Sequence, residues 1–173
     1  EHTNDLKSYC RRLFDLHELE TWGDDKNILD CITPLATHFN LSLRQLEKVF
    51  TNLALLYVST SEGNLRVVPL ISFLAVMKVI KPQIFDKLLH QNISYSDLCN
   101  ELNLSHLPKE TEKESYKHWL MNWVKYGVIS EQEFDDVDDK DRIKKFGNSH
   151  WLTERSDLIP LFCKQLSMFS ATL

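Results

Sequence analysis

The chain reads as an all-α protein, an irregular bundle of about seven to nine helices around one buried central helix, Leu70–Ile80. Three observations predict this. Apolar residues recur at spacings of three and four along most of the chain, the period of a single helix face. Only four glycines and five prolines stand among 173 residues, which leaves few of the turns that an all-β fold needs. Two stretches carry complete helix starts, Ser42 with Gln45 and Ser130 with Glu133, each at capping-box spacing.

In order along the chain, Asp5–Leu19 is the first expected helix, with Leu6, Tyr9, Cys10, Leu13 and Leu16 on its inner face and Thr3 or Asn4 as its cap. Thr21–Asp25 is a turn. Asp24 or Asp25 then caps a helix over Lys26–Phe39, which Pro34 is expected to kink or divide. Ser42 starts the next helix, running from Leu43 to about Thr60 with Leu46, Val49, Phe50, Leu53, Leu56 and Tyr57 on one face, and Leu41 is placed for a hydrophobic staple with Leu46. Pro69 suits a first helical turn. Leu70–Ile80 is apolar nearly all round, the mark of a central helix. Its one charge, Lys78, is expected to reach out of the end.

Pro82 opens a short helix to His90, and Ser94 caps another with Leu98, Cys99 and Leu102 inward. Residues 103–114 are polar and hold Pro108, so the chain divides there: 1–107 as a helical bundle and 108–173 as a helical extension. Ser115–Tyr126 is helical, with Gly127 as its stop and Tyr116, Trp119, Leu120, Trp123 and Tyr126 at core spacing. Trp119 and Trp123 are also the candidates for an interaction surface. The acidic run Asp135, Asp136, Asp138, Asp139 and Asp141 lacks the glycine and glutamate positions of a calcium loop and reads as a solvated helix end. The last helix covers Asp157–Phe169.

Arg44 falls at the second position of its helix, where the backbone dipole is positive and an exposed cation costs about 0.3–1 kcal/mol. First-turn N–H groups and a guanidinium together make an anion site, and a solvated surface arginine is the plain alternative. Arg11 and Arg12 lie off the apolar face of the first helix.

The run Phe39-Asn-Leu-Ser-Leu-Arg44 and the helix to Leu56, with the lead-in Tyr9-Cys-Arg-Arg-Leu-Phe14, resemble a segment near the end of the KAP family of P-loop NTPases. The resemblance covers roughly residues 5–60, and Lys48 and Val49 stand where that family often has a second arginine. It implies a lid-like region that follows a nucleotide-binding core and reports nucleotide state. Under it Arg44 is the nucleotide-sensing residue and Arg11, Arg12 and Lys48 are secondary basic candidates. ATP and Mg belong only to the full-length protein. The partner is the N-terminal NTPase core of the same polypeptide, with homo-oligomerisation and a link to phage or plasmid-related defence as further implications.

The chain itself holds no Gly-x-x-x-x-Gly-Lys-Ser/Thr, no Gly-x-Ser-x-Gly elbow and no His or Cys pair at metal spacing, so no catalysis, metal or cofactor is expected of it alone. A net charge of −5 argues against general nucleic-acid binding. No apolar run reaches the ~18–20 residues of a membrane span. Cys10, Cys31, Cys99 and Cys163 form no Cys-x-x-Cys pair, and they read as reduced thiols of a cytoplasmic protein. The chain begins without methionine, which suggests a piece of a longer polypeptide. Two functions follow as expectations: a non-catalytic lid of a P-loop NTPase, or a stand-alone helical protein-interaction module without nucleotide binding. The module's surface would be the Trp119/Trp123 region or an uncovered face of the central helix.

Overall fold

The computed structural model describes residues 2–107, 115–138, 140 and 154–168, with side chains from residue 5 and, in the seventh helix, from residue 120. Among these residues there are nine α-helices, two short 3-10 turns and no strand. The helices are α1 (His2–His17), α2 (Asp25–His38), α3 (Leu43–Val58), α4 (Val68–Ile80), α5 (Pro82–Leu89), α6 (Tyr95–Leu102), α7 (Ser115–Val128), α8 (Glu131–Asp135) and α9 (Leu158–Ser167). None of them is long and apolar enough to cross a membrane.

The central helix is α4. Every residue from Val68 to Met77 is buried, and α2, α3, α5, α7 and α9 pack around it. Its sequence has no polar stripe to turn toward water, so burial on all sides is the only favourable placement, at about 1.5–3 kcal/mol per large side chain. From Val68 to Met77 no face of α4 is left open as a docking surface. Lys78 does not reach out of the end as expected. It is half-buried and its ammonium donates to the Leu166 carbonyl at the last turn of α9, where the carbonyls lack helical partners and the dipole favours a cation. Burial lowers its pKa. Side chains of α7 and α9 (Leu120, Val124, Phe162, Leu166) lie in the same apolar cluster as those of α1–α6.

The local signals of α3 hold. Ser42 Oγ accepts from the Gln45 amide at 3.2 Å, and Gln45 Oε1 accepts from the Ser42 amide at 2.9 Å. Ser130 and Glu133 make the same reciprocal pair at α8, and Ser94 caps α6. The expected inner face of α3 is buried throughout.

Several expectations are corrected. The first helix starts at His2, so Thr3 and Asn4 lie within it, past the cap position. Leu16 is 75% exposed, and Phe14 is buried instead, edge-on against Phe50 at 5.0 Å. Pro34 does not divide α2, which runs unbroken through it. The ring is buried there, and the preceding Thr33 hydroxyl donates to the Leu29 carbonyl at 2.7 Å. Gly127 does not stop α7, which continues to Val128. A Cβ at position 127 would stand 2.9 Å from Ile159 Cδ1 and 3.1 Å from its Cγ1, so this glycine lets α9 approach the α7 backbone. The last helix begins at Leu158 after a 3-10 turn, Arg155–Asp157, and the expected end at Phe169 lies outside the described residues.

Candidate functional site

A cleft of about 520 Å³ opens where three separated pieces of chain meet: the turn between α5 and α6, the end of α7 with the start of α8, and the 3-10 turn before α9. Leu88, Ile129 and Ile159 form its buried base, with Ile93 and Val128 half-exposed above them. Gln91, Asn92, Ser156, Glu131, Glu133 and Arg155 make its polar edge.

Arg155 holds this cleft together. One guanidinium nitrogen donates to the Tyr126 carbonyl at 3.0 Å and to the Ile129 carbonyl. These are carbonyls at and just beyond the C-terminus of α7, which need donors from outside the helix. The other terminal nitrogen donates to Glu131 at 2.9 Å. The guanidinium also lies 5.0 Å from the Phe134 ring and 5.9 Å from the Tyr126 ring. Its side chain is 9% exposed, whereas that of Glu131 is 81% exposed. Gln91 closes the other side by donating to the Ser156 carbonyl at 2.6 Å. Nothing in the sequence marks Arg155, because its partners lie more than twenty positions away.

A second cleft, about 450 Å³, runs between α1 and α2 and gathers Lys7, Arg11, Lys26 and Asp30. Asp30 Oδ1 is 3.9 Å from the Lys7 ammonium, and its other oxygen is buried without a hydrogen-bond partner among the described residues. Arg11 pairs with Asp25 at 3.3 Å.

The basic candidates are not brought together. Arg44 is exposed in the first turn of α3, and Lys48, one turn on, is exposed as well. The capping box already takes the Gln45 amide, so that amide is not open to an anion. Arg12 lies over the Tyr9 ring at 5.6 Å, and the Tyr9 hydroxyl donates to Glu47 at 3.0 Å, joining α1 to α3. Trp123 is 5% exposed and edge-on to Tyr126 at 5.6 Å, so its ring belongs to the interior and not to a surface. The Trp119 side chain lies outside the described residues.

Asp24 does not cap α2 with its side chain. Its Oδ2 accepts from the Tyr57 hydroxyl at 2.7 Å and from Arg66 Nε at 2.8 Å. Arg66 stacks on Trp22 at 4.7 Å and donates to the carbonyls of Ser61, Glu62 and Asn64. This cluster ties the start of α2 to the end of α3 and the loop after it. The Tyr57 hydroxyl, Asp24 Oδ2 and two of the Arg66 nitrogens are matched within it, the mark of a structural tie.

The four cysteines are free. Burial pushes the Cys10 and Cys163 thiols up to about 12 and raises Cys31 further. Such thiols are poor nucleophiles near neutral pH. Among the described residues no group of three or more metal-ligating side chains comes together. Compared with family models, with curated proteins and with solved structures, the chain matches none of them.

Proposed function

We propose that this chain is a non-catalytic helical unit that works by binding another protein. The observation that carries this is the pairing of a self-filled core with the preformed cleft beside Arg155. Large apolar side chains exposed among the described residues are Leu16, Leu43, Val58 and Met168, contributed by four different positions on α1, α3 and the end of α9. A lid separated from the core it packs on would present a contiguous apolar face instead. The cleft beside Arg155 has an apolar floor, a polar edge and a volume in the ~300–1,000 Å³ range of binding sites.

The test is the solution mass of the chain by light scattering over a range of concentrations, with its thermal unfolding. A monomer, or a defined dimer, that unfolds cooperatively supports a self-contained unit. Open-ended self-association with non-cooperative melting overturns it.

A second reading, the nucleotide-sensing lid of a KAP-like P-loop NTPase, is favoured by one observation. Arg44 holds an exposed guanidinium in the first turn of α3, a position the helix dipole disfavours and a phosphate from an adjoining core would favour. ATP and Mg would then be bound by that core, in the same polypeptide. Reading the gene upstream of the Glu1 codon tests this. A phosphate-loop motif in frame supports the lid, and Arg44→Ala should then alter hydrolysis or nucleotide-dependent assembly. Unchanged hydrolysis and assembly remove the sensor role.

A further inference from the structure

We propose that the cleft beside Arg155 is a docking groove for a basic, amphipathic segment of a partner protein. The inference rests on the reading that the chain works by protein contact, and it adds the chemistry of what is bound.

The charge of the cleft decides the occupant. Among the described residues its only cationic lining residue is Arg155, set against two carboxylates, Glu131 and Glu133. Arg155 is already committed: its terminal nitrogens donate to two carbonyls and a carboxylate, and two rings lie against the guanidinium. It has little left to offer an anion. Glu131 is different. It gives one oxygen to Arg155 and is 81% exposed, so most of the carboxylate still faces solvent at the edge of the cleft. Asp136, exposed at the end of the same short helix, extends the negative edge, while the neighbouring Asp135 is paired with Lys140 at 3.0 Å. Among the described residues the rim carries more carboxylates than cations, so an incoming lysine or arginine meets net negative charge, while a carboxylate or phosphate meets repulsion.

The floor supplies the other half of the recognition. Ile93 and Val128 are half-exposed on a buried aliphatic base of Leu88, Ile129 and Ile159. Apolar side chains of an amphipathic segment can lie on these two residues with their cationic neighbours directed to the rim. The walls are set before binding. Arg155 ties the 3-10 turn to the end of α7, and Gln91 ties it to the α5–α6 turn. A site ordered in advance loses less entropy when it is filled.

The probe is a short fluorescein-labelled peptide alternating leucine and lysine, titrated with the chain at physiological salt and read by anisotropy. A leucine–glutamate peptide is the counterpart. The lysine peptide is expected to bind and the glutamate peptide not to. Val128→Lys, which puts a cation on the floor, and Glu131→Lys, which reverses the rim, should each weaken the lysine peptide about tenfold or more. Glu131 is exposed, so its variant reports even if Val128→Lys folds poorly. Arg44→Ala, on a different helix end, should leave binding unchanged. Failure of the lysine peptide to bind, equal binding of both peptides, or binding that survives both cleft variants overturns the proposal. Binding of the glutamate peptide alone, lost in Val128→Lys, refutes the charge assignment while leaving protein contact as the function. Open-ended self-association of the unaltered chain removes the contact reading itself.

Discussion

Replacing Gly127 with alanine sets two effects of known size against each other. Alanine favours a helix over glycine by up to about 1 kcal/mol. Gly127 is the next-to-last residue of α7, so less than the full amount is gained. Against this, the new methyl would stand 2.9 Å from Ile159 Cδ1, 3.1 Å from Ile159 Cγ1 and 3.5 Å from Leu70 Cδ1. Ile159 is 2% exposed and Leu70 fully buried, so neither can swing into solvent. Overpacking of this kind costs about 1–3 kcal/mol. The expected net is a loss of about 1 kcal/mol, or a Tm lower by about 2–4 °C for a chain of this length. Circular dichroism of thermal and urea unfolding measures it. Ile159→Val removes the Cδ1 that the methyl meets. It costs about 0.5–1.5 kcal/mol alone, yet in combination with Gly127→Ala it should relieve most of the clash, so the double variant is more stable than the sum of the singles. A stabilised Gly127→Ala, or additivity within about 0.5 kcal/mol, would refute the close-approach explanation and restore Gly127 as an ordinary glycine near a helix end.

Three further outcomes follow from the same geometry. Arg44→Ala should leave stability unchanged or raise it by up to about 1 kcal/mol, because it removes an exposed cation from a positive helix end; a clear loss in urea unfolding would mean that Arg44 carries a structural contact. Asp24→Ala removes the shared acceptor of Tyr57 and Arg66 and leaves a mostly buried guanidinium without its carboxylate, so it should cost about 2 kcal/mol or more, whereas Ser42→Ala should cost only about 1 kcal/mol through the lost cap. Alkaline pH should destabilise the fold. Cys10 and Cys163 have folded values near 12 against an ordinary 9.0, so their neutral thiols contribute stability that is complete below about pH 9, where the unfolded thiols are still protonated, and is lost as pH rises toward 12; urea midpoints measured across that range should fall, and Cys→Ser changes at both positions should flatten the fall.

What was legible in the sequence is what short-range chemistry determines. The Ser42–Gln45 box needs only a helix after it, and α4 announces its burial by having no polar face. What was not legible depends on which helix crosses which. A glycine near the end of a helical pattern reads as a stop, and only the passage of Ile159 across α7 makes it a packing residue. Trp123 sits at a spacing that fits a surface stripe or a core, and burial decides for the core. Lys78 reads as an exposed end until α9 supplies a carbonyl for it, and Asp24 reads as a cap although the stronger demand on its carboxylate comes from Tyr57 and Arg66. The Arg155 cleft is the extreme case. Its floor and rim come from residues 88–94, 127–133 and 155–159, whose only local signals are the helix starts at Ser94 and Ser130, and neither of these says that the three pieces meet. Arg155, which joins the last two of these, satisfies the carbonyls of a helix ending 27 positions before it. Those carbonyls would otherwise be left at the edge of the core without donors, so the requirement that secures the end of α7 also builds the cleft, and mutating Arg155 should abolish both together.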